Sequence, residues 1–181
     1  MSRITTPTRE TAPLDSQPLL DGVFKTLGVV PNLFRVFALS PAALGGLLSL
    51  SRALSKALDA KTRERIAIAV AEVNGCDYCL SAHTYIGLKM AKITPEDAAL
   101  NRKGRSTDPK ADAAVRFAAK VAETRGKVGD ADIAAVKAAG FSEAQIVEIV
   151  GLVAENVLTN FLNNVAQTDI DFPVLHPAEA A

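Results

Sequence analysis

The chain has 181 residues, 49% of them hydrophobic and only 5% aromatic, with 20 basic and 20 acidic side chains giving a formal net charge of zero. That length suits one domain with a real core, and an alanine-rich, aromatic-poor composition suits packed helices better than a sheet. Balanced, interspersed charge excludes a basic nucleic-acid or anionic-membrane surface, and no uninterrupted apolar run reaches the length of a membrane span.

Residues 1–14 hold several Thr and Pro and no periodicity, which predicts an extended arm. The first ten lack the apolar stretch of a signal peptide, so a cytoplasmic location is expected. Asp21 to Leu27 reads as a short helix ended by Gly28. Pro31 opens Asn32 to Leu39, and Ser40-Pro41 starts a helix running to about Leu58. Residues 15–58 would thus form accessory helices in front of a core at 59–168, all within one helical domain over 15–181. Asp59 is a suitable N-cap for a helix over 60–74 that is apolar on nearly every side from Ile66 to Val73 except at Glu72, the mark of a buried central helix. Asn74-Gly75 ends it, and a second helix follows over 76–91. Thr94-Pro95-Glu96-Asp97 starts the next, which stops near Gly104. Asp108-Pro109 begins another to about Arg125, and 130–139 is a short helix closed by Gly140. Ser142 and Gln145 form a capping box opening a long helix to about Val165 that carries Ile146, Ile149, Val150, Val153, Val157, Phe161 and Leu162. The tail, with Pro173 and Pro177, is irregular. The expected fold class is all-α, with a central antiparallel helix pair about Gly75.

Chemistry concentrates at the start of the second helix of that pair, in Cys76-Asp-Tyr-Cys79-Leu-Ser-Ala-His83, which holds both cysteines and one of the two histidines of the chain. Spacings of three and seven place the three side chains on one helical face. Thiolate is the reactive form of cysteine, and two local sources favour it: the free N–H groups of a helix start, and His83, one turn beyond Cys79, as a base. In a helical hairpin about Gly75, Glu64 lies within about 5 Å of the height of His83, and Glu72 about 7–8 Å away. The count prefers Glu64 as the orienting carboxylate and leaves Glu72 open. Glu64 also suits a solvated first-turn acid, and His83 a core histidine. Cys76, Cys79 and His83 would offer a zinc ion three ligands, one short of a closed site, and no metal or cofactor is expected. Tyr78 fits packing near the thiols better than proton transfer, and His176 the surface.

The run from Glu64 to His83, with a glutamate twelve residues before the first cysteine, Asn-Gly ahead of it and then Cys-x-x-Cys-x-x-x-His, resembles the alkylhydroperoxidase D-like (AhpD-like) branch of the carboxymuconolactone decarboxylase superfamily. Val-Pro-Asn-Leu-Phe at 30–34 and the helical order resemble its peroxidase-related members. The resemblance implies an AhpD-like helical bundle, homo-oligomeric as a trimer or hexamer and cofactor-free, that reduces hydrogen peroxide or organic hydroperoxides. It implies Cys79 as the peroxidatic thiol, Cys76 as the resolving thiol, His83 as base and Glu64 as proton relay. A thioredoxin-like or dihydrolipoyl protein would be the external dithiol reductant. Tyr78 stands where classical members often carry histidine, which shortens any relay. A non-peroxidatic thiol–disulfide relay or redox sensor, and decarboxylase-like acid–base chemistry, are the alternatives.

Overall fold

A computed structural model describes residues 2–177; Met1 and residues 178–181, the outer ends of the expected arm and tail, lie outside the described residues. Among the described residues there are nine α-helices and no strand: α1 (Gln17–Leu27), α2 (Asn32–Phe37), α3 (Pro41–Leu54), α4 (Ala60–Val73), α5 (Asp77–Lys89), α6 (Pro95–Asn101), α7 (Pro109–Thr124), α8 (Asp130–Ala138) and α9 (Glu143–Ala166). The fold is all-helical. Ser40, Asp59, Thr94, Asp108 and Ser142 each accept the backbone N–H three residues on, satisfying a donor the helix leaves free.

Helix ends differ from expectation in four places. α1 starts at Gln17, four residues earlier than Asp21, because Pro18 sits in the first turn where proline is tolerated. α2 stops at Phe37, since the approach to Ser40-Pro41 requires extended backbone. α3 stops at Leu54; Ser55 turns its hydroxyl onto the Arg52 carbonyl at 2.8 Å, and Leu58 folds inward instead of extending the stripe. Cys76 lies just outside α5 as its N-cap, with extended backbone.

α4 is the axis of the molecule. Residues 65–71 are all buried, and the helix packs against α5, α6, α7 and α9. Ile66, Ala69 and Val70 join Val115, Ile149 and Val153 in one core, while Ile68 and Ala71 join Leu80 and Ile93 in another. A core isoleucine such as Ile66, with no exposed surface, costs about 2–5 kcal/mol when cut to alanine. α1–α3 form a third cluster around Leu20, Phe37, Leu44 and Leu47, against which Leu162 of α9 packs. Ahead of them the arm is pinned by Arg35, whose guanidinium donates to the carbonyls of Pro7 (2.7 Å) and Thr6 (3.2 Å).

The α4–α5 turn sets the site. Gly75 has φ +59°, and the N–H groups of Gly75 and Cys76 donate to the carbonyls of Glu72 and Ala71 at 3.1 and 3.0 Å, the two bonds of a Schellman ending. The chain reverses within two residues and lays α5 back along α4. Near the far end Gly87 permits close contact: a Cβ there would stand 3.1 Å from Ile93 Cδ1 and 3.6 Å from Ile68 Cδ1.

α9 departs from the simple amphipathic pattern. In its first half Ile146, Ile149, Leu152 and Val153 face inward. In its second half Asn156, Thr159, Asn160 and Asn163 are buried, while Leu158, Phe161 and Val165 are 45%, 55% and 61% exposed. Val150 and Phe161, grouped by sequence with the core aliphatics, therefore face outward. By length and composition alone this helix could cross a membrane, but it is packed against α3, α4, α5 and α7.

Candidate active site

Cys76 and Cys79 are both free thiols with 0% and 2% exposure. Cys76 Sγ takes the place of a capping oxygen, accepting the Cys79 N–H at 3.3 Å. Cys79 sits in the first turn of α5, where the helix dipole favours negative charge. From across the core, Asn163 of α9 donates its Nδ2 hydrogen to Cys79 Sγ at 3.2 Å.

These contacts separate the thiols electrostatically. Cys79 falls from the ordinary value to about 6: the Cys76 thiol donates to it, which outweighs burial, and His83 and the side-chain amides of Asn163 and Asn160 add to the effect. Cys76 is pushed far upward, first because its hydrogen is committed to Cys79 and then by burial. At neutral pH one proton is shared unequally, leaving Cys79 as thiolate and Cys76 as its donor.

His83 follows Cys79 by one turn. Its Nδ1 lies 2.9 Å from Glu64 Oε2, so the structure brings these two together. Burial alone would lower the imidazole pKa, but the charge and hydrogen bond of Glu64, helped by Cys79 and Glu155, raise it to about 9. Glu72 instead pairs with Arg102, the C-cap of α6, at 2.8 Å. Tyr78 is buried against the Phe172 ring, 5.8 Å between centroids and nearly perpendicular, and its hydroxyl oxygen accepts the Leu33 N–H at 3.1 Å. Burial pushes its phenol far above the usual value, which leaves it neutral and a poor shuttle. His176 is on the surface, its Nδ1 3.2 Å from Asp77.

A cavity of about 210 Å³ opens beside His83. Its apolar wall includes Leu33, Phe34, Leu47 and Leu152; its polar side includes Glu64, Glu155 and Asn156. Phe34 is thus a cavity wall. Neither cysteine lines the cavity. It touches α5 at His83, one helical turn on from Cys79, and α9 at Asn156 and Thr159. Among the described residues no group of three or more His, Cys, Asp or Glu side chains is arranged to hold a metal ion.

Hydrophobic periodicity gives no chemistry to Asn160 and Asn163, which the structure places beside Cys79. The available signal was their spacing: Asn156, Asn160 and Asn163 fall at i, i+4 and i+7, a polar stripe on a helix whose remaining residues are mostly apolar. Such a stripe in a long core helix faces either solvent or something that needs it.

Fold and site together define an all-helical dithiol protein with its cysteine pair at the mouth of a helical hairpin. The chain is similar to the AhpD-like branch of the carboxymuconolactone decarboxylase superfamily. Residues 41–124, the span from α3 to α7, match the carboxymuconolactone decarboxylase family model. The structure is similar to an alkylhydroperoxidase AhpD core, a peroxidase-related protein from Ralstonia eutropha JMP134, with a TM-score of 0.83 at 27% identity over 94% of this chain and 92% of that one. It shares its fold with a peroxidase-related protein from Silicibacter sp. TM1040 (TM-score 0.79, 21% identity, 93% and 91% coverage). The debrominase Bmp8 has the same fold (TM-score 0.78, 20% identity, 93% and 92% coverage), and its cysteine-to-alanine variant has been crystallised with 2,3,4-tribromopyrrole. No curated protein matches the sequence.

Proposed function

We propose that this protein is a thiol-dependent peroxidase that reduces hydrogen peroxide or small organic hydroperoxides through a Cys76–Cys79 dithiol/disulfide cycle. The observation that carries the reading is the pairing of a thiolate at Cys79, hydrogen-bonded by Cys76 and Asn163, with an imidazole one turn away held by Glu64 at 2.9 Å. The Cys79 thiolate attacks the terminal oxygen of ROOH; an S–O bond forms, the O–O bond breaks, and RO⁻ leaves. His83, held protonated by Glu64, gives RO⁻ its proton, so its first duty is that of an acid; the base work expected of it comes afterwards, when it is neutral. Cys76 then attacks the sulfenic sulfur, releasing water and forming the disulfide, which an external dithiol protein of thioredoxin-like or dihydrolipoyl type reduces. The exposed apolar face of α9, including Val147, Leu158, Phe161 and Val165, supports a homo-oligomer. Phe161→Asp should lower the sedimenting mass, and an unchanged mass would remove that face from the interface.

The test is a thiol count and intact mass on reduced protein, rapidly quenched after one equivalent of hydroperoxide. Loss of both thiols with a mass decrease of two hydrogens is expected; retention of both over minutes overturns the reading. The apolar cavity favours a second reading, in which the same dithiol supplies two electrons to a small halogenated arene, releasing halide as the disulfide forms. Halide release from a brominated pyrrole without peroxide turnover would select it.

A further inference from the structure

Two buried polar atoms beside Cys79 close no hydrogen bond. Asn160 has no exposed surface; its Oδ1 accepts Asn74 Nδ2 at 2.8 Å, which fixes the amide, and its Nδ2 donor is turned towards the Cys79 sulfur, whose charge it favours, without closing a hydrogen bond to it. Asn163 is 3% exposed; its Nδ2 donates to Cys79 Sγ and its Oδ1 acceptor is left unpaired. An unpaired buried polar group is costly, and groups of this kind are retained where something else completes them. Asn74 is itself held, accepting Asn164 Nδ2 on its carbonyl at 2.9 Å, so the amides are braced from both sides of the α4–α5 turn.

The two orphans have opposite sense. One is a donor and one an acceptor, both close to the sulfur that would be oxidised. A hydroperoxide terminus carries the complement: an O–H that donates and oxygens that accept. We infer that Asn160 and Asn163 form the receptor for the –O–O–H group, with Asn163 Oδ1 accepting the peroxide hydrogen and Asn160 Nδ2 donating to a peroxide oxygen. Asn163 Nδ2 meanwhile holds the sulfur as thiolate. After S–O bond formation the same two amides face the S–OH group and hold it for Cys76. This inference rests on the peroxidase reading and supplies the recognition that a tyrosine at position 78 does not. Asn163 also borders a concavity of about 670 Å³ with Gly75, Asp77, Thr168 and Asp169, on a side other than the His83 cavity.

The experiment compares two electrophiles on the reduced protein. Reaction with hydrogen peroxide and with iodoacetamide is followed at pH 8.5, where Cys79 is thiolate, and the Cys79 titration is followed by thiolate absorbance. Asn163→Leu should raise the Cys79 pKa by about one to two, the loss of one hydrogen bond to a charged group. It should slow peroxide about 10- to 100-fold while changing iodoacetamide less than about 3-fold. Asn160→Leu should shift the titration less and slow peroxide about 10-fold. Should a leucine variant fail to fold, Asn163→Ala and Asn160→Ala remove the same polar atoms without adding charge beside the thiolate, and the same selective loss is expected. An unchanged ratio of peroxide to iodoacetamide rates in the variants, with the parent protein reacting with peroxide, overturns the receptor alone. A parent protein that reacts with iodoacetamide but not peroxide overturns the peroxidase reading and the receptor with it.

Discussion

Replacing Glu64 by glutamine keeps the size of the side chain and removes the charge facing His83. The separation of 2.9 Å puts the charge centres roughly 4 Å apart, and at an effective dielectric of ~20 that is worth about 4 kcal/mol. Against this stands burial, which favours the neutral ring; the balance raises the imidazole from 6.5 to about 9, or roughly 3 kcal/mol. In E64Q the opposing desolvation remains and the main support is gone, so the His83 pKa should fall to 6.5 or below. At pH 7.5 the protonated fraction drops from ~97% to ~9% or less. The chain has two histidines, His83 and the exposed His176, so nitrogen-detected NMR titration resolves both, with His176→Ala as the assignment control. Peroxide consumption at pH 7.5 should fall about tenfold with the lost acid. Parent His83 titrating near 6.5, or an E64Q ring still protonated at pH 8, would refute the electrostatic account of the pair.

Three further outcomes follow from the same geometry. Cys76→Ser should leave Cys79 able to react once, giving a sulfenic acid trapped by dimedone with no second turnover; multiple turnovers would assign resolution elsewhere. For stability, His83 is raised in the fold, so its contribution is full below 6.5 and lost as pH rises through about 9; Cys79 is lowered, so its contribution is full above 9.0 and lost as pH falls towards about 6. Between 6.5 and 9 the two slopes cancel in the parent, whereas Cys79→Ser should lose up to about 3 kcal/mol across that window, read as a falling Tm; matching pH profiles would contradict the charge pair. Tyr78→Phe should cost about 1 kcal/mol, from the lost Leu33 N–H acceptor, and leave the pH dependence of peroxide reduction unchanged; a displaced profile would give the phenol a part in proton transfer.

Much of the architecture was legible because it is written in short-range chemistry. Ser40, Asp59, Thr94, Asp108 and Ser142 announce helix starts by side-chain capping, and Asn74-Gly75 announces the reversal, all within four residues of the element concerned. The contact between Glu64 and His83 was legible for a related reason: two helices joined by a tight turn have a register that counting recovers. Less local features were not. Leu58 leaves its helix to fill a core shared with α7 and α9, and nothing within its own turn requires this. Glu72 is claimed by Arg102, thirty residues away, from the C-cap of a helix whose packing on α4 no local rule fixes.

The largest departure, α9, is also where local reasoning breaks down for a physical cause. Hydrophobic periodicity assumes that apolar residues seek the interior, and over Ile146 to Val153 they do. Beyond Asn156 the inward positions are held by Asn, Thr, Asn and Asn, while Phe161 and Val165 face out. Burying these amides costs stability unless they are matched. The matches are uneven: Asn156 is satisfied by the Leu152 carbonyl, Asn160 has its acceptor filled by Asn74 but not its donor, and Asn163 spends its donor on the Cys79 sulfur and leaves an acceptor empty. A helix selected for stability alone would carry leucine at 160 and 163 and polar residues at 161 and 165. Inversion at all four positions makes sense if the inner face serves the thiolate and the outer face meets another surface. On that account the Asn163→Leu variant should be at least as stable as the parent below about pH 6, where Cys79 is protonated, while impaired with peroxide at pH 8.5, because an apolar side chain of similar size removes an orphaned acceptor from the core. A lower Tm in a variant that keeps full peroxide activity would mean that these amides are there for packing.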